Sequence, residues 1–265
     1  GIMPYHIVLD SALSGHQGSL AAGSTRRGIA PVYADKIYRN GNRMIDLLEP
    51  GVFREKIQKG YSFAKGLIEK SLERSLKISI EEIFNVYTDY GQQLKPYICD
   101  TSIVLYNAYK SREKILFEGA QGISLDVDHG VYPYTTSSNT VSGHVSSGTG
   151  VSFRHINRII GVVKAYLSRV GGGPLPSEIH EDIATPLREK GQEYGTTTGR
   201  PRRMGWLDLV QIRQAVRVNG LTEIALTKLD ILNGFEDIPV CVAYDVGGEQ
   251  IKEIPDSLSQ YRKPR

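Results

Sequence analysis

Short runs of β-branched and aromatic residues recur in the second half of the sequence, and they constrain its fold more than any other feature. The segment NRIIGVVKAYLSRV at 157–170 is the longest, and EIALT at 223–227 and VCVAY at 240–244 have the same character. Such runs predict buried β-strands, with at least one strand in the longest. Gly247-Gly248 predicts a hairpin after the last run.

Helical periodicity fills most of the remaining sequence. It predicts helices at 3–14, from Pro31 through Ile37, at 50–74, at 79–111 with a break near Pro96, from near Ser137, and at 206–218. The apolar run KILF at 114–117 predicts another strand that ends in a loop. Apolar strands alternating with helices predict an α/β fold, with a doubly wound, mostly parallel central sheet flanked by helices. We expect one domain over 1–265 with a helical subregion at about 50–111.

Charge and apolar content exclude several classes of protein. A net charge of +3 is too small to indicate nucleic acid as the main partner, and no apolar run is long enough to span a bilayer. The first residues, GIMPYHIVLD, lack the pattern of a secretory signal. Cys99 and Cys241 lie in apolar segments and are predicted to be buried thiols rather than a disulfide. We therefore expect a soluble, cytoplasmic protein that binds neither membrane nor nucleic acid.

The segment EYGTTTGRPRRMGWLD at 193–208 concentrates hydroxyl and guanidinium groups on one turn-rich loop. Arg200 and Arg202 are two residues apart, so an extended chain directs both side chains to one face. Guanidinium groups match carboxylate and phosphate in geometry, and Thr196, Thr197 and Thr198 add hydroxyl donors. Gly195 and Gly199 allow the backbone to bend around a ligand. The loop predicts a small anionic ligand with carboxylate and phosphate groups; the alternative is a solvated basic turn.

The tetrapeptide TKLD at 227–230 follows a predicted strand, where ligands bind in open α/β sheets. A carboxylate at Asp230 accepts hydrogen bonds from two adjacent N–H donors, which guanine offers and adenine does not. The Lys228 stem suits the face of a purine. A helix cap by Asp230 explains the same pattern.

The segments FEGAQG at 117–122 and DVDHGVYPYTTSSNT at 126–140 also follow a predicted strand. Gln121 offers an amide with donor and acceptor, and Thr136 lies where a helix N-terminus binds phosphate. The spacing of Asp126, Asp128 and His129 fits no closed zinc site, so we predict no metal there. A structural role is preferred for the other histidines.

A Gly/Ser/Thr loop, GSTRRG at 23–28, precedes a predicted helix. Such a loop suits a phosphate, and a solvated basic loop is the equal alternative. The sequence contains no Walker A lysine pattern and no dinucleotide fingerprint.

Taken together, five segments resemble adenylosuccinate synthetase, in that family's order. They are GSTRRGIAPVYADKIYR at 23–39, FEGAQG with DVDHGVYPYTTSSNT at 117–140, RVGGGPLPSE at 169–178, EYGTTTGRPRRMGWLD, and LTKLDIL at 226–232. The resemblance implies a P-loop NTPase-like fold and a ligase of purine biosynthesis, which joins L-aspartate to IMP with hydrolysis of GTP and uses Mg²⁺.

The resemblance also implies roles for individual residues. Positions that hold IMP are Thr25, Arg39, Gln121, Thr136 and Arg200, with Gln121 supporting catalysis near the 6-oxygen. Arg39 corresponds to an arginine that acts across subunits, so a homodimer is implied. The aspartate loop corresponds to Thr196, Thr197, Thr198, Gly199, Arg200 and Arg202. Positions around GTP are Arg202, Lys228, Leu229 and Asp230, and the last gives selectivity for guanine.

Three departures from the family pattern limit what is implied. The sequence has no GDEGKGK phosphate loop, which carries the base, and no Gly-His segment; the Mg²⁺ ligands are expected in that N-terminal region. The family also continues beyond the position of Arg265, and Arg26 stands where most members have glycine. We therefore expect the 265-residue chain alone to be inactive. The alternatives are a non-catalytic nucleotide-binding or dimerisation fragment, and, from another class, a protein that binds phosphorylated metabolites or RNA.

Overall fold

The computed structural model describes residues 1–17, 25–195 and 199–255. The chain divides into two compact units, one comprising residues 1–108 with 136–138 and the other comprising residues 109–135 with the part after 138. The expected single domain over 1–265, with its helical subregion, stays a prediction.

The first unit is helical. Its helices are α1 (Pro4–His16), α2 (Ile29–Tyr38), α3 (Pro50–Gly66), α4 (Ile80–Leu94) and α5 (Thr101–Lys110), whose last two residues belong to the second unit. Shorter turns of helix are Met44–Leu48, Leu67–Ser71 and Lys95–Tyr97. The core joins Tyr5 of α1 to Phe53 and Ile57 of α3 and Ile83 of α4. Burial of these large apolar side chains supplies most of the unit's stabilisation.

Local sequence explains where these helices begin and end. Ser79 starts α4 because its hydroxyl accepts a hydrogen bond from the Glu82 amide at 3.1 Å, while the Glu82 carboxylate accepts one from the Ser79 amide at 2.9 Å. Pro96 lies in the short turn between α4 and α5, which confirms the predicted break, because proline cannot donate a helical hydrogen bond. The predicted helix at 50–74 ends earlier, in the turn Leu67–Ser71.

The second unit combines short strands and helices. Its strands are β1 (Ile160–Lys164), β2 (Tyr166–Arg169), β3 (Arg203–Asp208), β4 (Glu223–Thr227), β5 (Val240–Cys241), β6 (Tyr244–Val246) and β7 (Glu249–Ile251). Helices α6 (His144–Thr149), α7 (Glu181–Gly191) and α8 (Leu209–Asn219) lie between them, with short turns at Ile123–Leu125, Phe153–His155 and Leu229–Leu232. The predicted strands at 157–170 and 223–227 and the hairpin at Gly247-Gly248 are therefore confirmed.

The described strands form three small sheets. Strands β1 and β4 pair in parallel, from Ile160 opposite Glu223 to Lys164 opposite Thr227. Strand β3 pairs antiparallel with β2 and parallel with β5, and β6–β7 is an antiparallel hairpin. The α/β class and its parallel pairing are confirmed, while the strand directions are mixed. The parallel β1–β4 pair brings two strand ends together at Lys164 and Thr227, next to the candidate site.

Two predicted elements are wrong. Residues 114–117 form no strand: they pair with no strand of the described chain, and Leu116 is 87% exposed, so its backbone lacks the hydrogen bonds that define a sheet. No helix begins near Ser137, because the amides of Thr140 and Val141 are bonded to the Asp126 carboxylate, and the nearest helix is α6.

Trp206 belongs to β3 rather than to a helix. Helix α8 begins after Asp208, whose carboxylate accepts hydrogen bonds from the amides of Val210 at 2.9 Å and Gln211 at 3.1 Å. The predicted strand at 240–244 is interrupted, with β5 ending at Cys241 and β6 beginning at Tyr244.

The cysteines differ from expectation in their burial. Cys99 is exposed and Cys241 is half-buried, and both are free thiols. Cys99 lies in the irregular stretch between α4 and α5, two residues after Tyr97, which is 79% exposed. Burial, followed by the nearby Asp208 charge, raises the pKa of the Cys241 thiol to about 11. None of the described helices is long and apolar enough to cross a membrane.

Candidate functional site

The loop between α7 and β3 is closed at its base by backbone hydrogen bonds. The Gly195 amide donates to the Arg200 carbonyl at 2.8 Å, and the Arg202 amide donates to the Glu193 carbonyl at 3.0 Å. Gly199 has a φ of +63°, which a residue with a side chain adopts at a cost. Thr196, Thr197 and Thr198 lie outside the described residues. These hydrogen bonds therefore fix the positions of the two ends of this basic loop.

A buried carboxylate, Glu193, binds three donors beside this base. Its Oε1 accepts hydrogen bonds from Lys164 Nζ at 2.8 Å and the Tyr166 hydroxyl at 2.9 Å, and its Oε2 accepts one from Arg202 Nη1 at 2.9 Å. Lys164 ends β1, Tyr166 begins β2, and Arg202 precedes β3. Three segments thus meet at one carboxylate.

The charges in this cluster shift one another's pKa values. Burial opposes ionisation of Glu193, but its bonds and attraction to Lys164 and its bond with Tyr166 hold its pKa below the usual value. Burial lowers the pKa of Lys164, and the charges of Arg202 and Lys228 lower it further, against the opposing effect of Glu193. Burial and the Glu193 carboxylate raise the pKa of Tyr166. The cluster is a carboxylate among several cations.

Lys228 and Asp230 follow β4, whose end is adjacent to Lys164 in the parallel pair. Lys228 has a left-handed backbone with φ of +63°, and its Nζ donates to the Gly191 carbonyl at 3.2 Å. Asp230 is exposed and lies inside the turn Leu229–Leu232, whose last two residues, Ile231 and Leu232, are buried. Lys228 occupies the capping position of this turn, so Asp230 is not its cap. Among the described residues, the Asp230 carboxylate has no hydrogen-bond or ion-pair partner.

A cavity of about 1840 Å³ adjoins the cluster within the second unit. Lys164, Ser168 and Arg202 line it, as do Gln121 and its neighbouring glycines. Gln121 is exposed and has a φ of +64°, an uncommon conformation for a residue with a side chain. The structure thus brings Gln121 and Arg202 to the walls of one cavity.

Asp126 organises the segment that follows Gln121. It is fully buried, and its two carboxylate oxygens accept hydrogen bonds from four amides, those of Asp128, His129, Thr140 and Val141. Burial opposes its ionisation, but these four bonds lower its pKa overall. Asp126 therefore stabilises the segment 126–141. Within the described ranges, no three His, Cys, Asp or Glu side chains are close enough to hold a metal ion.

Three predicted site residues belong to the first unit. Thr25 is exposed and precedes α2; Arg39 follows α2 with φ of +65° and is exposed; Thr136 is half-buried. Arg39 ends the helix, and its amide donates to the Lys36 carbonyl at 3.2 Å. The exposed Arg39 is accessible to a ligand or to another chain.

Three residues of the cluster, Lys164, Tyr166 and Glu193, are absent from the site residues predicted from the sequence. The position of Lys164 could have been noticed in the sequence, because it is the last residue of the apolar run IIGVVK. Residues at the carboxyl ends of strands often bind ligands in α/β folds. Glu193 could not have been noticed, because an isolated glutamate before a loop gives no indication of burial. Arg200 is exposed at the loop base, and its carbonyl holds the Gly195 amide.

Comparison with known proteins decides the family. The sequence profile of the adenylosuccinate synthetase family matches residues 1–265. The chain belongs to the adenylosuccinate synthetase family. Relatives include the adenylosuccinate synthetases of Bacillus cereus, 48% identical over 97% of this chain, and of Listeria monocytogenes, 49% identical over 97% of it. The chain spans 60% of the length of each of these relatives.

Solved structures show the same fold. The chain resembles a fully ligated adenylosuccinate synthetase from Plasmodium falciparum, with a TM-score of 0.87 and 37% identity; the match covers 93% of this chain and 58% of that one. A succinoaminodeoxyadenylate synthetase from cyanophage S-2L, 21% identical with a TM-score of 0.51, shares the fold over all of this chain and 67% of that one. The family resemblance inferred from the five sequence segments is confirmed.

Proposed function

We propose that the chain is part of an adenylosuccinate synthetase, which ligates L-aspartate to IMP with conversion of GTP to GDP and phosphate. Family membership supports the reaction. The observation that carries the proposal is the cluster at the end of the β1–β4 pair, where Lys164 and Arg202 bind Glu193, with the charge of Lys228 acting on Lys164 and the exposed Asp230 two residues after Lys228. Cations of this kind suit anionic substrates, and the free carboxylate suits a guanine edge.

In this proposal, GTP binds beside the end of β4. The Asp230 carboxylate accepts hydrogen bonds from N1–H and the 2-amino group of guanine. Lys228, Leu229 and Arg202 surround the nucleotide, and the Leu229 side chain offers exposed apolar surface for the base.

The proposed IMP contacts are Thr25, Arg39, Gln121, Thr136 and Arg200. The aspartate carboxylates are bound by the loop, through Thr196, Thr197, Thr198, Gly199, Arg200 and Arg202. Guanidinium groups at Arg200 and Arg202 are suited to carboxylates because each offers parallel N–H donors.

The proposed reaction has two steps. The 6-oxygen of IMP attacks the γ-phosphorus of GTP after loss of the N1 proton, and GDP leaves. The amine of aspartate then displaces phosphate from the 6-phosphoryl intermediate. The residues of this chain align the reactants and neutralise charge, with Gln121 holding the region of the 6-oxygen. No three His, Cys, Asp or Glu side chains of the described residues form a group that could hold the Mg²⁺ implied by the resemblance, so we assign it no step.

Titration of the purified 265-residue chain tests the proposal. We expect calorimetry to detect binding of IMP and, in a separate titration, of GTP, because the residues proposed for each lie within this chain. ATP is the matched control and should bind more weakly than GTP. Absence of binding to both IMP and GTP, or tighter and salt-sensitive binding to single-stranded RNA, would contradict the proposal.

Binding without turnover would agree with a non-catalytic fragment, and a GTP-dependent rate of adenylosuccinate formation would show that the chain alone is active. The inactivity of the chain and its place in the cytoplasm stay predictions.

We also propose a homodimer in which Arg39 reaches the IMP phosphate of the partner subunit. Its exposure after α2 supports this role. Light scattering should give twice the monomer mass. The variant Arg39→Leu should weaken IMP binding about tenfold, the usual loss for one charge-assisted hydrogen bond, without changing that mass. Arg74→Leu, in the exposed stretch after α3, is the matched control; equal effects from both variants, or a monomer that binds IMP normally, would contradict this assignment.

A further inference from the structure

Glu193 has the features of a residue that orders a binding site without contacting the ligand. It is only 3% exposed, yet it is ionised and holds Lys164, Tyr166 and Arg202. A buried charge of this kind is costly unless each oxygen is bonded, and both of its oxygens are. Its own backbone carbonyl also accepts the Arg202 amide. Glu193 and Arg202 are thus joined twice, at the base of the basic loop.

The position of the Arg202 guanidinium depends on this carboxylate. The Arg202 carbonyl accepts a hydrogen bond from Arg188 Nε at 2.7 Å, which fixes the backbone. The side chain, by contrast, is held by Glu193 at 2.9 Å and only weakly by the Ser168 hydroxyl at 3.5 Å, and its buried Nε has no hydrogen-bond partner. Removing the carboxylate would therefore release the guanidinium while leaving the backbone held.

Lys164 depends on Glu193 in the same way. Its ammonium group also donates to the Ser168 hydroxyl, but its ionic partner is Glu193, and Arg202 and Lys228 both repel it. Without the Glu193 charge, like charges would face one another in a partly buried place, and they would separate or Lys164 would lose its proton.

We propose that Glu193 is a positioning residue: its carboxylate fixes Arg202 and Lys164 in the arrangement that receives an anionic ligand, and it holds the two ends of the loop in register. This inference rests on the proposed function only for the identity of that ligand. The effect passes through the two cations, since Glu193 itself faces the interior.

The test compares Glu193→Gln with the wild-type chain, because glutamine keeps the shape and removes the charge. Hydrogen exchange of the Gly195 and Arg202 amides, resolved by NMR, should become at least about tenfold faster, as expected when a buried ion pair at the loop base is broken. The Ala165 amide, which donates to the Thr227 carbonyl, should be unchanged. Glu223→Gln, which breaks the exposed pair with Arg158, is the matched control and should leave all three amides unchanged.

A pH profile separates positioning from mere stabilisation. The groups that face Lys164 are Glu193, Tyr166, Ser168, Arg202 and Lys228, with Asp230 beyond Tyr166. Loss of the Glu193 charge lowers the Lys164 pKa further, and the lysine charge is present only below that pKa. In Glu193→Gln, GTP affinity should therefore fall more steeply with rising pH than in the wild-type chain, because the lysine charge is lost at a lower pH.

Each outcome decides the inference. Unchanged exchange of Gly195 and Arg202, or faster exchange that is equal at Ala165, would overturn it, as would parallel pH profiles. If Glu193→Gln does not fold, the variant Tyr166→Phe replaces it, because it removes the hydroxyl that donates to Glu193 Oε1. This variant should accelerate exchange of the Arg202 amide but not of the Gly195 and Ala165 amides; no acceleration would overturn the inference. If the wild-type chain binds neither IMP nor GTP, the proposed function fails, and the exchange measurement still decides the role of Glu193.

Discussion

Replacing Asp126 with alanine should lower the free energy of unfolding of the second unit by about 3 kcal/mol, because four amides would lose a charged acceptor in a buried place. The amides of Asp128 and His129 lie close to Asp126 in sequence, whereas those of Thr140 and Val141 lie 14 and 15 residues away. The substitution should therefore release the whole segment between them. Urea denaturation followed by fluorescence of Trp206, in the same unit, measures the change.

Asp128→Ala is the matched control for this experiment. Asp128 is exposed and two residues from Asp126, and its carboxylate accepts one side-chain hydrogen bond, from Asn139. We expect a loss below about 1 kcal/mol from it. Equal losses from the two variants would show that burial of Asp126 has no special effect.

Acid should reproduce part of the Asp126→Ala effect in the wild-type chain. The folded pKa of Asp126 lies below its ordinary value, so its contribution to stability is complete above the unfolded pKa of about 4 and is lost as pH falls through the folded value. The difference in stability between wild type and Asp126→Ala should consequently shrink below about pH 4. A constant difference down to pH 2 would contradict this interpretation.

Elements with strong local signals were predicted correctly from sequence. The break at Pro96 follows from the chemistry of proline, and the strand Ile160–Lys164 follows from its β-branched composition. Residues 114–117 have a similar composition but form no strand, because a strand requires a neighbouring backbone and composition does not supply one. Trp206 was misassigned since the helical periodicity after it extends back across the true start at Asp208.

The candidate site was predictable only where its residues were close in sequence. Arg200 and Arg202 share a short loop, and Lys228 and Asp230 share a tetrapeptide at a strand end, so local pattern was enough to propose them as site residues. The cluster around Glu193 joins residues up to 38 positions apart, from Lys164 to Arg202, through pairing of β1 with β4 and β2 with β3. Only the register of those strands brings its charges within hydrogen-bonding distance.

Replacing Asp230 with asparagine should weaken GTP binding about a hundredfold, because a site built to accept two hydrogen bonds would then present a donor to one of guanine's donors. The exposed carboxylate, which has no hydrogen-bonding or ionic partner elsewhere in the described chain, is available for guanine. Xanthine carries a carbonyl where guanine carries the 2-amino group, so XTP should bind the Asp230→Asn variant better than it binds wild type. Calorimetry with both nucleotides measures this reversal.

The control variant is Asp237→Asn, which changes a similarly exposed aspartate seven residues on and should leave the affinities for GTP and XTP unchanged. Equal losses of GTP and XTP binding in Asp230→Asn would mean that Asp230 does not contact the base, and that the selectivity for guanine has another origin.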